Sequence, residues 1–151
     1  MIDTNTFDEA KIDWKPFPGP DGEPADHISV SFLNVDEEAK IVDALLKFSA
    51  NEKILMHRHC SNYSTFTLSG ELRTYLPNGE LKDIRPAGVF KLGEPGEAHT
   101  EGGGDQDVVC YFSFRPYSAT DPIYEILDDN LEVIAAMTFD DLKGLYQEYS
   151  S

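Results

Sequence analysis

The sequence has few cations, few cysteines and no long apolar run, and each of these absences excludes a class of protein. Its 151 residues include 12 Lys and Arg against 28 Asp and Glu, a formal net charge of −16. Nucleic acids and anionic membrane surfaces both require a cationic face, so we expect neither as a partner. No apolar run approaches the ~20 residues of a membrane helix. The acidic N-terminus carries no visible secretory signal.

The cysteine count points to a reducing compartment. Cys60 and Cys110 are too few for a disulfide framework, and they are typical of free thiols in the cytoplasm. The length is sufficient for a single domain over residues 1–151 with a substantial apolar core. No internal repeat is present.

Short strands and frequent turns dominate the chain from residue 27 to residue 136. Residues 27–34 alternate apolar and polar side chains, which predicts a half-buried strand. Pro77-Asn78-Gly79 is a strong hairpin turn. This pattern predicts an all-β sandwich or barrel. Residues 1–26 form an N-terminal arm, in which Trp14 and Phe17 are expected to attach the segment to the barrel or to a second subunit.

Two segments raise the question of helix. Residues 36–48 have helical apolar spacing and begin with acidic residues, so local propensity favours a helix there. Residues 139–149 carry an apolar helical stripe, and Thr138 with Asp141 resembles a capping box. We therefore predict a C-terminal helix over 139–149, packed against the core.

Three of the four histidines are the strongest chemical feature. In a strand, alternate residues share one face, so His57 and His59 point the same way, while Cys60 points to the other face. Two imidazoles on one strand face present their nitrogens to a common point, as a metal site requires. The pair is a weak signal in isolation, because histidines are often structural.

The spacing of these histidines resembles the two motifs of the cupin superfamily. The first motif contains His57 and His59 and ends at Gly70, directly after FTLS. Gly88 begins a second motif, which ends with EPGEAH at His99. The resemblance covers about residues 41–115, and about 41–146 with the tail. It extends to the cupins grouped with the ChrR anti-sigma factor metal domain, acetylacetone-cleaving dioxygenase and 2,4′-dihydroxyacetophenone dioxygenase. It implies a double-stranded β-helix (jelly-roll) barrel, with residues 36–48 as strand, and a metal held by His57, His59 and His99.

One departure from the family concerns the carboxylate ligand. The superfamily usually has a metal-binding Glu four or five residues after the second histidine, where this chain has Tyr63 and Ser64. Alternation along the strand predicts that Ser64 faces inward with Phe66 and Leu68, and that Tyr63 faces outward. The prediction is a three-histidine site without a carboxylate.

Three neutral imidazoles would leave a divalent metal its full charge, which favours an anionic chelate such as a β-diketone enolate or an ionised hydroxyketone. The resemblance implies a non-haem Fe(II) dioxygenase that cleaves a C–C bond, with O2 as co-substrate. Zn(II), Ni(II) or Mn(II) suit the same donors, so a zinc-dependent hydrolase or isomerase stays open. A non-catalytic metal-binding or sensory cupin is the third alternative.

Three further residues are candidates for a catalytic role. Arg73 and Tyr75 share one strand face and would hold an enolate oxygen if that face is the interior. Glu94 precedes His99 by five residues and is a candidate gate or base at the barrel mouth. The family resemblance also implies a homodimer or homotetramer, and the segment from Trp14 to Phe17 is a candidate for crossing its interface.

Overall fold

A computed structural model describes residues 7–150. Residues 1–6, the start of the predicted N-terminal arm, and Ser151 lie outside the described part. Almost all regular structure is strand. In chain order the elements are a 3-10 turn at Glu9–Lys11, then β1 (Lys15–Pro18), β2 (Pro24–Asp36), β3 (Ile41–Phe48), β4 (His57–His59), β5 (Asn62–Ser69), β6 (Glu71–Tyr75), β7 (Leu81–Pro86), β8 (Phe90–Leu92), β9 (Thr100–Gly103), β10 (Val108–Arg115), β11 (Pro122–Leu127), β12 (Val133–Thr138) and α1 (Phe139–Ser150).

The strands form three antiparallel sheets whose inner faces share one core. The largest has the order β1-β2-β3-β10-β5-β8, and two smaller sheets have the orders β12-β11-β4 and β7-β6-β9. A backbone bridge between His57 and His99 joins β4 to the segment that leads into β9. The all-β barrel with a short C-terminal helix is therefore confirmed.

The ambiguous segment at residues 36–48 is strand from Ile41 onward, as the family resemblance implied. Residues 37–40 form a turn between β2 and β3. Helical spacing is overridden because β3 pairs along its whole length with β2 on one side and with β10 on the other. Val42, Ala44 and Phe48 then point into the core and are fully buried.

The N-terminal arm is attached to the barrel of its own chain. Phe17 is buried in the main core, with its ring centroid 6.0 Å from that of Tyr124. Trp14 donates a hydrogen bond from Nε1 to the carbonyl oxygen of Glu9, and the Lys47 ammonium lies over the indole ring. These contacts hold β1 as the edge strand of the large sheet.

Helix α1 begins as its sequence predicts. The Thr138 amide donates to the Asp141 carboxylate at 2.9 Å, and the Asp141 amide donates to the Thr138 hydroxyl at 3.1 Å. This reciprocal pair is the predicted capping box. Phe139 and Leu142 on the apolar stripe are buried against the core. Among the described residues, no helix combines the length and the apolar character that crossing a bilayer requires.

Gly70, which ends the first motif, is glycine for a steric reason. Its φ is +74°, and a Cβ at this position would lie 2.5 Å from the carbonyl oxygen of Asp107. No side chain fits there without backbone movement. The turn from β5 to β6 can therefore approach the start of β10 closely.

Candidate metal centre

Four buried side chains meet inside the barrel, where β4 faces the start of β9. They are His57, His59, His99 and Glu101, and their potential ligand atoms all lie within 4.8 Å of one another. Imidazole nitrogens and a carboxylate oxygen are the donors that Zn²⁺, Fe²⁺ and related ions prefer. The donor set is that of a divalent-metal site.

Strand geometry explains why the four side chains converge. His57 and His59 are two residues apart on β4 and share its inner face, as His99 and Glu101 do on the neighbouring segment. The His57 amide donates to the His99 carbonyl at 3.1 Å, and the His99 amide donates to the His57 carbonyl at 2.9 Å. This exchange places His57 directly opposite His99, and His59 and Glu101 follow as the next residues on the same inner face of each strand.

Backbone carbonyls fix the orientation of two of the imidazoles. Nδ1 of His57 donates to the carbonyl of Leu55 at 2.9 Å, and Nδ1 of His99 donates to that of Glu97 at 3.1 Å. Both rings therefore direct Nε2 into the cluster, where an unprotonated Nε2 can bind a metal. Both ring nitrogens of His59 are buried without a hydrogen-bond partner in the described part of the chain. A metal ion would satisfy such a nitrogen, so the residues present fit a metal.

Charge within the cluster is coupled. Burial opposes the charged forms of His57 and Glu101, but the contact between His57 Nε2 and Glu101 Oε1 at 3.3 Å outweighs it. The pKa of His57 is raised and that of Glu101 is lowered. Burial and the neighbouring imidazoles hold the pKa of His59 well below its ordinary value. Burial and His57 also lower the pKa of His99. His59 and His99 are therefore neutral ligands at pH 7.

Aromatic rings pack around the cluster and restrict its side chains. The Tyr63 ring stacks on the His59 imidazole with a centroid distance of 3.7 Å. The Phe114 ring is also stacked with His59, at a centroid distance of 6.0 Å. Gly93 leaves the space that Tyr63 occupies, because a Cβ at Gly93 would lie 2.0 Å from the Tyr63 ring. The His59 imidazole is consequently held by packing.

An apolar chamber borders the cluster on the side of β1 and β11. It has a volume of about 50 Å³ and reaches His57, His59 and Glu101. Its remaining wall is almost entirely apolar, formed by Phe17, Pro18, Ala25, Ile28, Leu46, Ile54, Leu55, Phe112, Phe114, Tyr124 and Ile126. The Tyr124 hydroxyl is buried and has no hydrogen-bond partner among the described residues. Burial raises the pKa of Tyr124 well above its ordinary value, so the phenol stays protonated.

A smaller, polar cavity borders the cluster on the opposite side. His99 and Glu101 reach it, together with Tyr63, Arg85 and Glu94. The Arg85 guanidinium is committed to Thr65 and Asp83. The cluster therefore lies between an apolar and a charged environment.

Comparison with solved structures identifies the architecture. An RmlC-like cupin protein from Ralstonia eutropha matches at 20% identity and a TM-score of 0.71, over 98% of this chain and 87% of that one. The chain has a cupin fold. An acetylacetone dioxygenase from Acinetobacter johnsonii matches at 17% identity and a TM-score of 0.67, over 98% of this chain and 93% of that one. A putative acetylacetone dioxygenase from Methylibium petroleiphilum matches at 18% identity and a TM-score of 0.67, over 97% and 96%.

The likeness to cupins lies in the fold and not in a sequence match. No protein-family model and no curated protein matches the sequence. At these identities the structural likeness establishes the fold alone. The activity of this chain depends on the chemistry of its own residues.

The predicted histidine set is assembled, and a buried carboxylate that the prediction did not include lies with it. Glu101 offers this carboxylate from the β9 side of the cluster, whereas the family position for a carboxylate, after His59, holds Tyr63 and Ser64. The sequence contained a signal for it, because His99 and Glu101 repeat the two-residue spacing of His57 and His59. The run of glycines from Gly102 onward is typical of a loop, but residues 100–103 form β9.

The predicted facing of β5 is also wrong. Tyr63 faces inward and stacks on His59, and Thr65 and Thr67 are buried beside it. Phe66, which was expected inside, is only partly buried. Ser64 is buried but opposes Ser113 and Leu92 in the sheet, away from the metal donors. The alternation was correct, and its phase was inverted because the prediction assigned the large apolar side chains to the interior.

Two of the three predicted catalytic residues lie away from the cluster. The inner face of β6 carries Leu72 and Thr74, which are buried, so Arg73 and Tyr75 face outward. Arg73 pairs with Glu71 at 2.7 Å, and Tyr75 lies under the Lys53 ammonium. The condition for their predicted role, an inward orientation, is not met. Glu94 is exposed and lines the mouth of the polar cavity beside His99, so its role as gate or base stays a prediction.

Cys60 lies on the outer face of β4, as alternation predicted. Its thiol donates to the Glu125 carboxylate at 3.3 Å. Burial and this carboxylate raise the pKa of Cys60 to about 11, so the thiol stays protonated at neutral pH. Cys60 is therefore separate from the metal donors.

Proposed function

We propose that this cupin is an Fe(II)-dependent dioxygenase that cleaves a C–C bond in a small β-diketone or hydroxyketone. The observation that carries the proposal is the apolar chamber of about 50 Å³ that borders the His57, His59 and Glu101 donors directly. A fully polar, charged ligand gains no binding free energy from such a wall, whereas a short ketone gains some by burying its alkyl groups there. The two acetylacetone dioxygenases with the same fold, one of them putative, support this substrate class.

The roles of the residues follow from their geometry. His57, His59, His99 and Glu101 would hold the metal. A bound Fe(II) with these four donors would supply an electrophilic centre with two further positions, enough for one oxygen of the substrate anion and for O2. The carbonyls of Leu55 and Glu97 keep two imidazoles in the ligating tautomer. The apolar wall excludes water from the reacting carbons.

Glu101 changes the charge that the metal centre presents to a substrate. A carboxylate among the donors lowers the positive charge at the centre, so the preference for an anionic chelate is weaker than in a site of three histidines alone. Burial of the whole cluster compensates in part, because charge interactions are stronger where water is excluded. We therefore retain the enolate or ionised hydroxyketone as the proposed substrate form.

The test is oxygen consumption by protein loaded anaerobically with Fe(II). We expect O2 uptake with at least one compound of a panel that contains acetylacetone and 2,4′-dihydroxyacetophenone, together with two oxidised products, at least one of them a carboxylic acid, that between them contain both atoms of the O2 consumed. His99→Ala is expected to lose both metal and uptake. Silence across the panel, with zinc retained tightly on purification, would reject the dioxygenase in favour of a non-catalytic metal-binding or sensory cupin.

A zinc-dependent hydrolase or isomerase is the second candidate, and Glu101 is the observation that favours it. Histidines with one carboxylate form a common zinc donor set, and bound zinc lowers the pKa of water toward ~7. Anaerobic turnover of p-nitrophenyl acetate by the zinc-loaded protein, absent in His59→Ala, would support this candidate. Ni(II) and Mn(II) suit the same donors, and the same assay can be run with either.

The remaining partners are part of the proposal. They are a small-molecule substrate, O2 and further copies of this chain as a homodimer or homotetramer. The exposed Phe90 and Leu92 on the edge strand β8 support self-association, since a large apolar side chain gains from being covered. Sedimentation of wild type against Leu92→Lys tests it.

The unpaired thiols of Cys60 and Cys110 are consistent with the proposed cytoplasmic location.

A further inference from the structure

The Tyr124 hydroxyl is a polar group that the fold leaves unused. Tyr124 lies on β11 directly opposite His59 on β4, so both side chains share the inner face. Its ring centroid is 6.4 Å from those of His57 and His59. The residue is 7% exposed, and its hydroxyl oxygen has no hydrogen-bond partner in the part of the chain that the structure describes.

An unsatisfied buried hydroxyl opposes folding, and a phenylalanine would avoid that cost at the same volume. Such groups in folded proteins usually mark a place where a further molecule completes the hydrogen bond. The ring itself packs on Phe17, so packing explains the ring and leaves the hydroxyl unexplained.

The surroundings of the hydroxyl limit what can bind it. Tyr124 lines the apolar chamber, whose other polar lining residues are the candidate metal donors His57, His59 and Glu101. The volume of about 50 Å³ holds about three to five water-sized groups, since one such group requires ~10–15 Å³. A molecule that fills the chamber is therefore short and mostly apolar, with one oxygen for Tyr124.

We propose that the Tyr124 hydroxyl donates a hydrogen bond to a carbonyl oxygen of the ligand in this chamber, and so selects a short ketone over a hydrocarbon of the same shape. The inference deepens the proposed function, on which it rests for taking the chamber as the place of the substrate. It makes Tyr124 a specificity-determining residue, and it concerns binding alone.

The test compares two ligands of equal shape on zinc-loaded protein. Acetone and isobutene have the same skeleton and differ only in C=O against C=CH2. Binding is followed by NMR shifts of the Ile28, Leu46 and Ile126 methyl groups, which line the chamber. Acetone loses more hydration than isobutene on entering the chamber, so the readout is the ratio of the acetone to the isobutene affinity, called here the acetone preference, in wild type relative to that in Tyr124→Phe. For a neutral hydrogen bond we expect this ratio to be roughly 3- to 10-fold higher in wild type.

Thermal unfolding provides a second readout. If the hydroxyl has no partner in the ligand-free protein, Tyr124→Phe keeps or raises the melting temperature. A loss of stability would show that the hydroxyl has a structural partner, and it would overturn the proposal. Tyr111→Phe is the matched control, because the Tyr111 hydroxyl donates to Asp43 at 2.8 Å on the outer face. It is expected to keep the acetone preference.

The outcomes separate this inference from the proposed function. An unchanged acetone preference in Tyr124→Phe, or absence of ligand binding in wild type, rejects the role of Tyr124. A lowered acetone preference in Tyr124→Phe, combined with no O2 uptake by the iron-loaded wild type, supports that role and rejects the dioxygenase.

Discussion

Glu101→Gln is the substitution that most directly tests the metal centre. It keeps the size of the side chain and removes its negative charge. Glu101 is 4% exposed, and its Oε1 lies 3.3 Å from Nε2 of His57. In the metal-free protein, loss of this partner leaves burial as the main influence on His57, and we expect its pKa to fall.

The expected loss of metal affinity is large. Substituting a residue that only orients a ligand typically weakens metal binding by 10- to 100-fold, and a direct donor contributes more. We therefore expect Glu101→Gln to weaken zinc binding by at least ~100-fold, about 2.8 kcal/mol at 1.4 kcal/mol per tenfold change. The loss should be comparable with that in His99→Ala, because both side chains offer one donor atom to the same point.

The assay is competition for zinc against a chromophoric chelator at pH 7. Glu97→Gln is the matched control, because Glu97 and Glu101 are each two residues from His99. The Glu97 carboxylate instead pairs with Lys82 at the surface, at 2.7 Å. Its backbone carbonyl, which holds His99, is unchanged by the substitution. Zinc affinity of the control should equal that of wild type.

A specific result would refute this reasoning. If Glu101→Gln bound zinc within about threefold of wild type while His99→Ala did not, Glu101 would be a neighbour of the site and not a donor. The site would then be the three-histidine centre that the sequence predicts, and the stronger preference for an anionic chelate would return.

Other substitutions test the surroundings of the site. Arg73→Ala should change zinc affinity by less than about twofold in the same competition assay, because the guanidinium lies on the outer face of β6. Burial opposes ionisation of Asp83, but hydrogen bonds, first that of Lys91, lower its pKa to about 2. Asp83→Asn should therefore lower the free energy of unfolding by about 1 kcal/mol in urea denaturation at pH 7. The difference between wild type and variant should shrink toward pH 3, because a lowered pKa stabilises fully only above the unfolded-state pKa of 3.8 and this stabilisation is lost as pH falls toward the folded-state pKa of about 2. Gly93→Ala should cost about 1–3 kcal/mol in thermal unfolding and weaken zinc binding, because its Cβ would displace the Tyr63 ring.

The histidine donors could be predicted because their geometry is local. Two residues apart on a strand share a face whatever the rest of the fold does, so His57 and His59 were paired from the sequence alone. His99 required the family spacing, since nothing local indicates that residues 57 and 99 exchange backbone hydrogen bonds. The structure brings all three together.

Glu101 is not indicated by the family resemblance, whose carboxylate position lies after His59. The same two-residue rule, applied from His99, leads to Glu101. The glycines that follow it suggested a loop. They are in fact required in β9, where a Cβ at Gly102 would lie 1.8 Å from the carbonyl oxygen of Glu52.

Periodicity determined the all-β class, the C-terminal helix with its cap, and the pairing of donors along each strand, because these depend on neighbours in the chain. Tertiary structure decided which face of β5 and β6 is the interior, since both faces carry apolar residues and only packing selects one. It also placed Glu101 among the imidazoles and left the Tyr124 hydroxyl buried without a partner among the described residues. Both arise where strands distant in sequence meet, and local patterns carry no information about that contact.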